Sequence, residues 1–256
     1  MKPIVLTFSG HDPCGGAGVQ ADIEAIISQD CHASSVITCL TEQNTHNVKK
    51  LLPQSPDEFL SQTQTLLTDI HIHAIKIGLI GDAEIALVIK TILKNYSTIP
   101  IILDPILAAG GGKELANQSL LTAILELLPY ITLLTPNSVE ARKLTGLNDL
   151  TACGWRLLEL GCKAVLITGT HENTDDVSNS LFYQGQMKTY HYPRLPHTYH
   201  GSGCTLAASI AAFLAQNMEL TEAVLKAQDY TWQSLKTAYT TGKGQHNPAR
   251  LFWTKQ

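Results

Sequence analysis

Residues 197–215, HTYHGSGCTLAASIAAFLA, run from a polar turn punctuated by Gly201 and Gly203 into a long apolar segment, with Cys204 at the junction. Leu206, Ala207, Ala208, Ile210, Ala211, Phe213 and Leu214 make that segment apolar on nearly every helical face, so the helix must be buried. A buried helix start aims unpaired N–H groups and the positive end of a dipole at whatever lies in front of it. The amides around Gly201, Ser202 and Gly203 add to these, and the whole forms an anion hole suited to a phosphate in transit. A cysteine at such a helix start is expected to have a lowered pKa. Its thiolate would then accept the proton of an alcohol attacking phosphorus. A nucleophilic thiol is the rival reading of Cys204, and core packing is the plain one.

Other loops carry residues of matching chemistry. SGHDPCGGAGVQAD (9–22) has Gly15, Gly16 and Gly18, which let the backbone come close to a flat ligand. Asp22, in the helix that follows, is placed to accept hydrogen bonds from ligand amino groups. Gln43 offers a donor and an acceptor, as the edge of a heteroaromatic ring requires, or else stabilises its own loop. LDPILAAGGGKE ends an extended run at Asp104 and opens into Gly110, Gly111 and Gly112, a stretch expected to act as a mobile flap. In LLTPNSVEA, Asn137 and Glu140 either face a ligand or simply cap the next helix.

The elements that must position these loops are short β-type runs alternating with longer helical patterns. Strands are expected over 3–8, 34–40, 74–80, 100–105, 131–135 and 164–168, with helices between them. Residues 180–192 have period-two character around Gln184-Gly185 and read as a hairpin. The alternation predicts a mostly parallel sheet covered by helices on both faces, with the hairpin as the antiparallel exception. In such sheets ligands bind beyond the carboxyl ends of the strands, where all the loops above lie. No linker, low-complexity block or repeat divides the chain, so residues 1–256 are expected to form one domain.

Composition agrees. A chain of 256 residues with 44% hydrophobic content suits one sizeable core. The formal charge of -4 with interspersed signs argues against a nucleic-acid partner. No signal-peptide layout and no membrane-length apolar run is present, so a cytoplasmic location is expected. The six cysteines have no C-x-x-C spacing and read as free thiols. P-loop, G-x-G-x-x-G, G-x-S-x-G and H-E-x-x-H patterns are missing. His71 and His73 have no third ligand nearby and do not read as a metal site.

In order along the chain, SGHDPCGGAGVQADIEA, SSVITCLTEQNTHNV, IKIGLIGD, ILDPILAAGGG, LLTPNSVEA, HGSGCTLAASIAAFLA and GKGQHNP resemble the hydroxymethylpyrimidine/phosphomethylpyrimidine kinases of thiamine synthesis, within the ribokinase-like superfamily. The resemblance implies a three-layer α/β/α sandwich and an ATP- and Mg2+-dependent kinase acting on 4-amino-5-hydroxymethyl-2-methylpyrimidine, with its monophosphate as a second substrate. It implies a homodimer. By motif position Cys204 would be the base and Gly201, Ser202 and Gly203 the anion hole. Gly10, Asp22 and Gln43 would hold the pyrimidine edge, with Leu79 and Ile106 on its faces. Asp104, Asn137 and Glu140 would lie on the Mg2+–phosphate side, Asp104 and Glu140 reaching the metal through water, and Thr168 on the nucleotide side. Relatives usually carry lysine at the position of Thr168, and Lys-Ser-Gly where this chain has Gly110-Gly111-Gly112; Lys113 stands one position away. The neighbouring alternative is a pyridoxal-type kinase. The alternative of another class is a pyrimidine-binding protein, or a degraded kinase with little turnover.

Overall fold

Strands that meet helices on both sides must divide their side chains by parity, and the central strands do so. The computed structural model describes residues 2–254. It contains β1 (Ile4–His11), α1 (Gly18–Ser28), β2 (His32–Gln43), β3 (Val48–Pro53), α2 (Pro56–Leu67), β4 (Ala74–Ile77), α3 (Ala83–Leu93), β5 (Ile101–Leu103) and α4 (Gln118–Leu125). After these come β6 (Leu133–Leu134), α5 (Ser138–Thr145), α6 (Leu150–Glu159), β7 (Ala164–Ile167), β8 (Asp176–Tyr183), β9 (Gln186–Pro193), α7 (Ser202–Ala215) and α8 (Leu220–Lys236). Leu6, Phe8, Ile75, Ile77, Leu103, Leu134 and Val165 pack with α2 to α6 in one core. Val5, Ala74, Ile102, Leu133, Ala164 and Leu166 pack with α1, α7 and α8 in the other. The result is the expected three-layer sandwich.

One sheet runs in the order β3-β2-β1-β4-β5-β6-β7-β8-β9. From β2 to β7 the neighbours are parallel. The predicted hairpin is β8–β9, turning at Gln184 and Gly185 with φ of 50° and 73°, the consecutive positive values that a two-residue turn demands. It is not the sole antiparallel exception: β2 runs on to Gln43 and pairs antiparallel with β3. The sequence hid β3 because it is an edge strand. Lys49, Lys50, Leu52 and Pro53 are all exposed, so no apolar alternation marks it, and lysines with a terminal proline suit an edge.

The chain leaves β1 toward β2 and later returns to β4 on the other side of β1. That reversal opens a crevice at the carboxyl ends of β1 and β4. Four polar side chains break the apolar α1/α7 face just there: Thr7 and Ser9 share parity with Val5, Lys76 with Ala74, and Asp104 with Ile102. All four are buried, and α7 packs across β4, β1 and β5 above them. Among the described residues no helix is long and apolar enough to cross a membrane.

Candidate active site

The crevice is floored by the loop after β1. Asp12 is buried and accepts the amides of Cys14 (2.8 Å), Gly16 (3.0 Å) and Ala17 (2.9 Å), so one carboxylate shapes the whole glycine turn. His200 Nε2 lies 2.9 Å from the same carboxylate and 3.4 Å from Gln43 Nε2. Burial pushes the Asp12 carboxyl up, but its hydrogen bonds to His200, the Cys14 amide and Gln43 outweigh this and hold it well below the usual range. Gln43 is thereby linked to Asp12 and to His200, the residue that precedes the anion hole. Gly10 and Leu79 sit against each other, since a Cβ on Gly10 would lie 3.0 Å from a Leu79 methyl. Leu79 is buried and Ile106 half-buried.

The helix starts at Ser202, within the glycine-punctuated turn where the sequence placed it. Gly201 is the N-cap of α7 with φ of 84°, a left-handed conformation that suits glycine. A Cβ there would also collide with the Gly16 carbonyl. Arg250, 1% exposed, locks this approach: it donates to the Gly16 carbonyl, to Thr205 Oγ1 (2.8 Å) and to Glu24 (3.0 Å). Ser202 is half-buried and Gly203 exposed at the crevice.

Cys204 lies behind them, 5% exposed. Its expected low pKa is corrected by the structure: burial pushes the thiol up to about 12, with Asp104 and Asp22 adding to the rise and Lys76 opposing it. A helix terminus lowers a thiol only where the thiolate keeps some solvation, and burial removes that here. Asp22 is fully buried, with Lys76 Nζ at 2.8 and 2.9 Å and Thr7 Oγ1 donating at 2.5 Å. Burial works against the Lys76 ammonium, yet Asp22, Cys204 and Asp104 hold its pKa above the ordinary value.

Asp104 stands close to the anion hole, since a Cβ on Gly203 would be 3.3 Å from its Oδ2. Burial raises its carboxyl to about 6, against the pull of Lys76. Glu140 is raised to about 8 by burial and by the charge of Asp104. Asn137 and Glu140 form a capping box on α5: Asn137 Oδ1 accepts the amides of Val139 and Glu140, and Glu140 Oε2 accepts that of Asn137 at 2.9 Å. The other Glu140 oxygen accepts the Leu107 amide at 3.3 Å. Two buried carboxylates, the charge of Asp104 raising the pKa of Glu140, with Lys76 acting on Asp104, fit a hydrated divalent cation held through water. Thr168 joins Asn137 in a short backbone bridge and accepts the Ser138 amide. His73 serves the fold instead, its Nδ1 accepting the Ile4 amide.

In this structure the glycine flap rests against the β2–β3 hairpin. Asn47 Nδ2 donates to the Gly111 carbonyl at 3.1 Å, and Lys113 Nζ donates to the Lys49 carbonyl. Lys113 therefore faces the β2–β3 hairpin. Sequence reasoning missed Asp12, Lys76, His200 and Arg250 as parts of the site. Lys76 alone carried a signal, a charge in the middle of the apolar run AIKIGLI.

Residues 12–250 match the family described as phosphomethylpyrimidine kinase. The chain is 37% identical to a hydroxymethylpyrimidine/phosphomethylpyrimidine kinase of Synechococcus elongatus, covering 95% of each protein. It is 35% identical, over 95% of its length, to a thiamine biosynthesis bifunctional protein, ThiED, of Geobacter sulfurreducens, of which it spans 51%. Phosphomethylpyrimidine kinase from Clostridium difficile has a similar structure (TM-score 0.81, 30% identity, 91% of this chain and 100% of that one). So does the pyridoxal kinase from Staphylococcus aureus, solved with pyridoxal and separately with ADP and AMP-PCP (TM-score 0.89, 25% identity, 100% of this chain and 96% of that one). The fold is accordingly ribokinase-like. A family match across nearly the whole chain, on a sheet whose reversal gathers the matched motifs into one crevice, makes this chain a member of the phosphomethylpyrimidine kinase family.

Proposed function

We propose that this chain transfers the γ-phosphoryl group of ATP to the hydroxymethyl group of 4-amino-5-hydroxymethyl-2-methylpyrimidine, and then to its monophosphate, in thiamine biosynthesis. The observation that carries the reading is Cys204 in the first turn of α7, within reach of the charges of Lys76 and Asp104 and following the Gly201–Gly203 amides. The alcohol oxygen attacks the γ-phosphorus in line, the bond from phosphorus to the bridging oxygen breaks, ADP departs with that electron pair, and the alcohol proton passes to Cys204 Sγ, which enters the step as the thiolate and leaves it as the thiol. The amides of the anion hole hold the charge on the transferring group. Gln43, anchored by Asp12 and His200, orients the pyrimidine edge, with Leu79 and Ile106 against the ring. Mg2+, when bound, neutralises the polyphosphate, and Asp104 and Glu140 would hold its water shell. Burial first, and then the charges of Asp104 and Asp22, hold Cys204 as a thiol at neutral pH, so its work as a base requires bound substrate and phosphate to stabilise the thiolate.

A cytoplasmic homodimer acting as a single domain is the form the resemblance supports. Pyridoxal is the second substrate reading, favoured by the likeness to the Staphylococcus aureus pyridoxal kinase. Thr168 and the glycine flap, with no phosphate-side lysine, favour a poorly active relative as the third. Turnover of the purified protein with each alcohol separates them. The expected result is faster phosphorylation of the pyrimidine, a loss of ~10²–10⁴-fold in Cys204→Ala, and partial rescue in Cys204→Asp. Preference for pyridoxal, or pyrimidine binding without turnover, would overturn the reading. So would mass spectrometry that finds a phosphorylated Cys204 forming and decaying at the turnover rate.

A further inference from the structure

The flap, the β2–β3 turn and the segment after α8 meet around an open cleft of about 380 Å³. It shares Gly110, Gly111 and Gln245 with the smaller cavity that Gln43 and His200 line, so it is continuous with the crevice. Thr198 lies on its wall and its carbonyl accepts the His246 amide, while the His200 amide donates to the His246 carbonyl. This pairing leads the chain from the cleft directly to Gly201 and the start of α7.

The charge of the cleft is one-sided. Lys243 is its sole lysine or arginine, and no carboxylate lines it. Among the described residues Lys243 has no acidic partner. The flap contributes backbone: within the described residues the amides of Gly110 and Gly111 donate to nothing. Lys113 cannot serve here, being turned to the Lys49 carbonyl. The frame is tight, since a Cβ on Gly111 or Gly244 would collide with the carbonyl of His46 or Thr45. A lone ammonium with free amides, and no acid to compensate it, selects an anion.

We propose that this cleft is a phosphate-binding site whose cation is Lys243, taking the oxygens of a phosphate ester, either the polyphosphate of the nucleotide or the monophosphate of the phosphorylated pyrimidine. The choice of a phosphate ester over other anions rests on the kinase reading above. Lys243 replaces, from a different segment, the positive charge that Thr168 and the flap lack.

Calorimetric binding of AMP-PCP and, separately, of the phosphorylated pyrimidine to the wild type, Lys243→Ala and Lys243→Arg tests this. Lys243→Ala is expected to weaken at least one of them roughly tenfold, the scale of a charge-assisted hydrogen bond, and Lys243→Arg to retain most of the affinity. Added salt should weaken the wild type more than Lys243→Ala. Loss with AMP-PCP alone assigns the nucleotide, loss with the phosphorylated pyrimidine alone assigns the second substrate, and loss with both assigns a shared site. Unchanged affinity for both overturns the proposal. Binding is read without turnover, so a protein that phosphorylates no pyrimidine yet loses affinity in Lys243→Ala would overturn the kinase reading and leave this site standing.

Discussion

A lysine inside an apolar strand costs stability unless its charge is matched, and Lys76 is matched by Asp22 with both groups completely buried. Removing one partner of such a pair is far worse than removing both, because a lone buried charge remains. Lys76→Met is therefore expected to lower stability by about 3–5 kcal/mol in denaturant unfolding, and Lys76→Met/Asp22→Leu to recover a large part of that. Equal loss in the single and double variants would remove the ion pair from the account. The same cluster shows what the sequence left hidden about two residues. Asp22 was legible as an acid near the glycine loop, but its partner, Lys76, lies 54 positions away in the chain. Cys204 was legible as a helix-start thiol, but its burial depends on the sheet beneath it.

At the scale of elements, α7 does two jobs. Its side chains from Cys204 to Ala212 are all buried, so the helix forms for packing reasons, and its N-terminus is carried into the crevice as a consequence. The join depends on Gly201, where the backbone is left-handed and the neighbouring Gly16 carbonyl and Arg250 leave no room for a Cβ. Gly201→Ala should leave the helical content nearly unchanged by circular dichroism, because the buried face of α7 is intact. It should lower kcat by about 10²–10³-fold, the usual cost of misplacing an anion-hole donor. A variant with normal kcat would show that these amides do not meet the transferring group. The elements themselves were largely readable, since the core strands are short apolar runs and Gly146 ends α5 in the left-handed conformation expected of a helix stop. The strand β3 was not, because an edge strand needs no buried face.

Across the whole molecule, charge burial makes stability depend on pH. Asp104 and Glu140 titrate near 6 and 8 in the folded protein and near ordinary carboxyl values when unfolded. Between about pH 4 and 8 the folded state therefore holds more protons than the unfolded state, and stability falls as pH rises through that window. The Tm of the metal-free protein should drop from pH 5 to 8 by this contribution. Mg2+ added at pH 8 should raise Tm and release protons into a weakly buffered solution, because a cation replaces the protons that relieve the two carboxylates. A Tm that is flat across the window and indifferent to Mg2+ would separate this pair from the metal.

The order of strand and helix patterns, the buried character of α7 and the succession of glycine-rich loops were determined by the sequence alone, because apolar periodicity and turn residues act over a few neighbouring positions. The grouping of those loops also followed, since a parallel sheet places every such loop at one end. What tertiary structure decided was the electrostatics inside the crevice. The reversal between β1 and β4 brings Thr7, Asp22, Lys76, Asp104 and Cys204 together from five separate segments. In a space with little water each group's charge is set by its neighbours and by its burial, and neither quantity is local in sequence.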